Sequence, residues 1–230
     1  GHTVQPLHPS LIPLVAKYPE RCRAMMGLTL KNVRASLWEG GKCRFTEVGE
    51  LLFTHFGLSG PLILSASAHI ADYIFQDTCI RIDLKPGLDE AKLDMRILRD
   101  FQESPNLQLK NAMARLLPRG IVEEVLDAAN LNGQKAVNAV TREERRRLVQ
   151  QMKDFQVPIA GTRGIEEAII TRGGVSLREV NASKMQSKHC SGLYFAGEML
   201  DVDAYTGGYN LQIAFSTGYL AGKSAAENVN

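Results

Sequence analysis

The chain has 230 residues, 44 % of them hydrophobic, with 27 lysines and arginines against 25 aspartates and glutamates and a formal net charge of +2. That composition excludes a disordered or fibrous protein and leaves room for one large or two modest cores. The charge is too mild to point to nucleic acid or an anionic membrane unless it is gathered into a patch. Cys22, Cys43, Cys79 and Cys190 are scattered with no Cys-x-x-Cys pair, which argues against a zinc site or a disulfide framework and for a reducing, cytoplasmic setting. No apolar run nears the roughly 20 residues of a membrane span, and no signal peptide opens the sequence.

Residues 1–14 place Pro6, Pro9 and Pro13 among apolar Val4, Leu7, Leu11, Ile12 and Leu14. Prolines this dense exclude a helix and predict an extended crossing segment, in which His2 and His8 are plain loop residues or ligand-facing ones. From Gly27 to Lys85 the pattern predicts strands. Leu28, Leu30, Ala35 and Leu37 lie in alternating sequence, Glu39-Gly40-Gly41-Lys42 is a hairpin turn, Phe45, Leu51, Leu52 and Phe53 continue beyond it, and Thr78 to Lys85 alternate again. A small β sheet or barrel is expected here. Within it, Phe53-Thr54-His55-Phe56-Gly57-Leu58-Ser59-Gly60-Pro61 leads into a predicted helix over 62–73, with Pro61 in its first turn. His55, beside glycines and a serine, is a candidate general acid or base, although the same glycines and proline serve any tight strand-to-helix turn. Ser59 lacks the Gly-x-Ser-x-Gly setting of a nucleophile.

Residues 88–154 predict helices. Leu93, Ile97 and Phe101 form one stripe; Ser104 or Asn106 is the expected cap of the next helix, which holds Leu109, Met113, Leu116 and Leu117; Ile121, Val122, Val125 and Leu126 follow Pro118. Thr141-Arg142-Glu143-Glu144 is a capping box. Arg145, Arg146 and Arg147 read as a solvated helix face rather than a phosphate-binding patch, because Glu143 and Glu144 precede them at ion-pair spacing.

Strands are expected again at 157–160, 167–171 and 175–180, with a turn at Arg172-Gly173-Gly174 where the glycines either approach a ligand or simply turn the chain. Leu193 to Ala196 are apolar without alternation, the pattern of a strand buried on both faces of a parallel sheet. After Gly197 and Glu198, a polar loop ends in Thr206-Gly207-Gly208-Tyr209-Asn210, opening a helix whose free N–H groups suit electron-rich oxygens. Ala214, Gly218, Ala221, Gly222 and Ala225 give that helix small residues for close packing.

Leu193-Tyr194-Phe195-Ala196-Gly197-Glu198 with Thr206-Gly207-Gly208-Tyr209-Asn210-Leu211-Gln212 resembles the C-terminal flavin-binding motif of two-dinucleotide-binding-domain flavoproteins, and among them the aminoacetone-oxidase-like (BaiN/YhiN-type) family. The runs at 1–14, 53–61, 171–175 and 185–188 resemble the same family. The resemblance implies FAD, with Gly197 and Glu198 at the ribityl and pyrophosphate region, Gly207, Gly208, Tyr209 and Asn210 at the flavin ring edge, and Thr206 also binding the cofactor. It also implies Gly173 and Gly174 near the cofactor, and Arg172 for an anionic substrate or flavin O2.

An FAD protein of this kind needs a G-x-G-x-x-G turn, and none occurs in the sequence. The chain is therefore expected to be the C-terminal part of a longer flavoprotein. The expected fold class is α+β / α/β: a partial Rossmann-like FAD-binding domain (1–14 and 158–230) interrupted by an insert that is β-barrel-like over 15–87 and helical over 88–157. The expected function is that of an FAD-dependent oxidoreductase in which the insert covers the substrate side. By the resemblance, a small amine or reducible organic acid is the substrate and NAD(P)H the electron source. The missing N-terminal half is an expected partner, as is another copy of the chain through the face around 193–195 and 211–215; no nucleic acid, membrane or metal is expected. The competing reading is a non-catalytic binding or lid module. A third, a flavin-dependent RNA-modifying relative, requires a contiguous basic surface that Arg145 to Arg147 alone do not supply.

Overall fold

The computed structural model describes residues 1–70 and 75–227. In chain order the elements are β1 (Val4–Ser10), β2 (Leu14–Ala16), α1 (Pro19–Ala24), β3 (Thr29–Glu39), β4 (Lys42–Phe53), β5 (Gly57–Ser59), α2 (Pro61–Ser67), β6 (Thr78–Asp83), α3 (Glu90–Glu103), α4 (Leu109–Met113), α5 (Arg119–Ala128), α6 (Arg142–Lys153), β7 (Phe155–Thr162), β8 (Ile170–Val175), β9 (Val180–Asn181), β10 (Gln186–Ser187) and α7 (Tyr209–Glu227). They form two compact units, one of residues 14–162 and one of residues 1–13 with 163–230.

The larger unit is a mixed α/β body built on a closed antiparallel barrel in the order β2-β5-β4-β3-β6-β7. Gly40 (φ 54°) and Gly41 (φ 75°) make the two-residue turn between β3 and β4, the left-handed pair that matches strand twist. Along β3, Leu30, Val33, Ala35 and Leu37 are buried while Lys31 and Arg34 face solvent. The alternation slips at a bulge between Leu30 and Val33, where Asn32 takes φ 54°. Gly57 is required by close approach, since a Cβ there would lie 2.2 Å from the Leu14 carbonyl oxygen. Pro61 starts α2 as expected, and α2 runs to Ser67; the end of the predicted helix at 71–73 lies outside the described residues.

Helices α1 to α6 pack in the same unit. Leu93, Ile97 and Phe101 of α3 are buried with Val125 and Leu126 of α5 and Leu148 and Met152 of α6, in one core with barrel residues Leu37, Phe53, Ile80 and Phe155. Ser104 ends α3, and neither it nor Asn106 caps α4: the cap is Gln108, through backbone geometry alone. Arg145 pairs with Asp94 of α3 rather than with the preceding glutamates, because tertiary packing offers a carboxylate that the local sequence does not reveal.

The capping box of α6 forms as predicted. Glu144 N donates to Thr141 Oγ1 (3.2 Å) and Thr141 N to Glu144 Oε2 (2.7 Å), while Lys135 Nζ donates to both carboxylate oxygens at 2.8 Å. Lys135 first, then the Thr141 amide, hold the Glu144 carboxyl at about 2, against an ordinary 4.5. Because the folded value is depressed, this contribution is complete above about pH 4.5 and is lost as pH falls through about 2. Glu144→Gln is expected to cost about 1 kcal/mol at neutral pH and to flatten the loss of stability across that acid window. Urea titrations of both proteins at pH 7 and pH 3 check it; parallel acid declines would overturn it.

In the smaller unit, β1 pairs antiparallel with β8, and β9 with β10. The proline-rich start is thus extended, as expected. Thr3 donates through N and Oγ1 to the two oxygens of Glu179 (2.8 and 2.7 Å), which holds that carboxyl below its usual range. Four readings are corrected here. Arg172-Gly173-Gly174 is no turn but the middle of β8. Residues 177–179 form a short 3-10 turn, with β9 after it, instead of a strand over 175–180. Leu193 to Ala196 form no strand: Tyr194 makes one isolated bridge to Gln186, Phe195 is buried, and Leu193 is 37 % exposed. Apolar content alone does not make a strand without neighbouring ladders. On α7 the small residues divide, with Ala221 buried but Gly218 and Gly222 exposed. A small core of Val175, Val180, Phe195 and Leu200 supports this unit.

Candidate flavin site

The glycine pairs have different duties. Gly173 (φ 102°) and Gly174 (φ 122°) are buried within β8, where a Cβ would lie 2.2 Å from the Pro6 carbonyl oxygen and 2.7 Å from that of Met199 respectively. Backbone therefore passes close on both sides of β8, bringing the 197–200 segment against it, with an isolated parallel bridge at Val175 and Leu200. Glu198 is placed by this contact: its Oε2 accepts from Thr171 N at 3.3 Å.

Gly207 (φ 113°) and Gly208 (φ 89°) form the turn into α7, and a Cβ on Gly208 would meet nothing within 4 Å. Gln212 N closes the first helical turn on Gly208 O. The N–H groups of Tyr209, Asn210 and Leu211 have no acceptor among the described residues, as expected for a helix start. No acidic residue stands in the first turn of α7 to compensate its positive end.

Two side chains of α7 and one from the preceding segment dock the helix. The Asn210 carboxamide is engaged with Ala204, accepting from its N–H (2.9 Å) and donating to its carbonyl (2.7 Å). Thr217 Oγ1 accepts from Gly197 N (2.9 Å), and Tyr194 Oη donates to the Ser224 carbonyl (3.3 Å). Asp203, in the same loop, accepts from the fully buried Ser10 at 2.8 Å. Sequence reasoning named Asn210 for the ring edge and missed Ser10, Asp203 and Thr217. Polar residues seven apart at Asn210 and Thr217 were the available signal, since seven residues return to one helix face. Along another face, Leu211, Phe215 and Tyr219 are 63, 70 and 75 % exposed.

Thus Gly173, Gly174, Gly197, Glu198 and 206–210 all lie in the smaller unit, joined through β8, the 197–200 segment and α7. Arg172 is half-buried in β8 opposite His8. His2 donates to or accepts from Ser187 Oγ (2.8 Å) and packs edge-on against Phe195. His55 belongs to the barrel unit, exposed, with its ring against Phe56; no carboxylate or hydroxyl orients it among the described residues. No group of His, Cys, Asp or Glu among the described residues could hold a metal ion, all four cysteines are free thiols, and no described helix is long and apolar enough to cross a membrane.

N–H groups without an acceptor among the described residues thus lie next to a side-chain-free Gly208, and the exposed Glu198 carboxylate can accept from hydroxyl groups, the chemistry that an FAD edge would require.

Comparison with known proteins bears on the same point. Residues 8–170 match the family model described as HI0933-like protein barrel and H2TH domain. Over 229 residues the chain is 29 % identical to the 3-dehydro-bile acid delta(4,6)-reductase of Clostridium scindens, covering 99 % of this chain and 56 % of that protein. It is 32 % identical to the ribosomal RNA dihydrouridine synthases of Haemophilus influenzae and Escherichia coli, in each case over 95 % of this chain and 52 % of the relative. The chain spans about half the length of the curated relatives it matches. With its closed barrel, its packed helices and this match over most of its length, the chain belongs to the HI0933-like family, the BaiN/YhiN-type flavoproteins that its C-terminal motif resembles.

Proposed function

We propose that this chain supplies the flavin-ring and ribityl part of the FAD site of an oxidoreductase, and that its barrel and helical unit serves substrate recognition. The observation that carries this reading is the start of α7, where N–H groups without an acceptor among the described residues follow a Gly-Gly turn, and Asn210 anchors the loop before it. Such a terminus favours the negative charge that a reduced isoalloxazine gains at its pyrimidine edge. Gly207, Gly208 and the amides of Tyr209 and Asn210 take that edge, with Thr206 beside them; Gly197 and Glu198 take the ribityl hydroxyls; Arg172 takes an anionic substrate or flavin O2; His55 moves a proton. Bound FAD supplies the hydride chemistry, and NAD(P)H is the proposed donor. A small molecule with a reducible bond is the proposed substrate.

The visible spectrum of the intact protein with FAD tests this directly. A flavin-type spectrum that survives gel filtration and bleaches on anaerobic addition of NADPH or NADH is expected. If no flavin is retained, the Gly207-Gly208 helix start is structural and the binding or lid module reading takes its place.

An RNA substrate is the second reading, favoured by the two relatives named for ribosomal RNA dihydrouridine synthesis. Against it, Arg145 and Lys135 are already paired with Asp94 and Glu144. Binding of ribosomal RNA fragments measured across a salt series decides between the two: a steep salt slope supports RNA, and an absent one removes it.

A further inference from the structure

We propose that Thr217 and Asn210 are positioning residues for the flavin, acting through the backbone of Gly197 and Ala204; the inference rests on the flavin reading above. Both are seated on the face by which α7 docks. Thr217 Oγ1 gives its proton to the Ile213 carbonyl (2.7 Å), so its lone pairs are left to accept from Gly197 N (2.9 Å). Gly197 opens the segment that carries Glu198. Seven residues earlier, the Asn210 carboxamide satisfies both backbone groups of Ala204, in the loop that leads to Gly207 and Gly208. One helix therefore anchors both the Gly197 end of the segment that carries Glu198 and the loop that leads to Gly207 and Gly208, each through one side chain. Ser10, fully buried on Asp203, and Val175, whose carbonyl accepts from Asp201 N at 3.0 Å, hold the outer part of the same loop.

A threonine inside a helix is a poor helix former, and helix stability alone does not explain this one. Valine keeps its shape and removes both hydrogen bonds; serine keeps the hydroxyl. Aspartate at 210 keeps the acceptor for Ala204 N but has no proton to give the Ala204 carbonyl.

The test uses the intact protein that carries this chain and follows three quantities: FAD dissociation constant by fluorescence, flavin midpoint potential against reference dyes, and melting temperature without FAD. Thr217→Val is expected to weaken FAD roughly tenfold, as befits a half-buried N–H left without its acceptor, and Thr217→Ser to restore it. Asn210→Asp is expected to weaken FAD and lower the midpoint potential. If wild-type protein binds FAD while the valine and aspartate variants match it in affinity and potential, differing only in melting temperature, the two residues are merely structural and the inference fails alone. If the wild type does not bind FAD, the flavin reading fails and this inference with it.

Discussion

Gly173→Ala and Gly174→Ala are each expected to cost about 3–5 kcal/mol and to disrupt the smaller unit, the sum of an unfavourable positive φ and a backbone collision that cannot relax by moving a side chain. The added Cβ would lie 2.2 Å from Pro6 O in the first case and 2.7 Å from Met199 O in the second. Either β1 must leave β8, or the 197–200 segment must move off its other side. Gly192→Ala is the control: φ is 79°, yet nothing lies within 4 Å of the new methyl, so only the backbone strain of about 1 kcal/mol applies. Limited proteolysis at low temperature, read by the sites cut, distinguishes the variants. Cleavage confined to residues 1–13 and 163–227 is expected for both β8 variants. Resistance equal to that of the Gly192→Ala protein would mean that β8 is not squeezed on both sides. Since Glu198 is held by the β8 residue Thr171, FAD binding should fall together with this protection.

Lys153→Met is the second large effect. Lys153 ends α6 with its side chain only 15 % exposed, and its ammonium donates to Asp83 Oδ2 (2.7 Å), the Lys85 carbonyl (3.1 Å) and the Leu88 carbonyl (2.6 Å). All three ammonium protons are used to tie the end of β6 and the approach to α3 onto α6. Removing one member of a buried ion pair costs about 3–5 kcal/mol, because the remaining charge stays desolvated. Here Asp83 keeps Arg34 at 3.6 Å, which places the expected cost near the lower end. Urea unfolding of the barrel and helical unit measures it. Adding Asp83→Asn to Lys153→Met should recover part of the loss, since the uncompensated carboxylate is then gone. A single-variant cost below about 1 kcal/mol, the range of exposed pairs, would show that solvent reaches this site.

The order of these effects separates local from non-local information. The hairpin at Gly40-Gly41, the apolar stripe of α3 and the α6 capping box all depend on residues within one helical turn or one strand crossing. Their pattern is visible in the sequence because the physics that forms them acts over that range. The Gly207-Gly208 opening of α7 was legible for the same reason: a helix begins where left-handed glycines stop and good helix formers start.

Gly173-Gly174 looks identical in sequence to a turn. A glycine is needed both where a chain reverses and where two other backbones press on a strand, and only the position of Pro6 and Met199 tells these apart. Leu193 to Ala196 has strand composition, but ladders depend on neighbours, and the structure provides a single bridge. Lys135 meeting Glu144, Arg145 meeting Asp94 and Ser10 meeting Asp203 join residues from 9 to 193 positions apart, distances over which charge pattern carries no direction.

By itself, then, the sequence determined the candidate residues of the proposed flavin site: the Gly-Gly helix start, Glu198 and the motif that contains them. Only the tertiary structure decided how those residues are held, because hydrogen bonds from Asn210, Thr217 and Ser10 reach backbone and side chains that the chain brings close only when β1, β8 and α7 have packed.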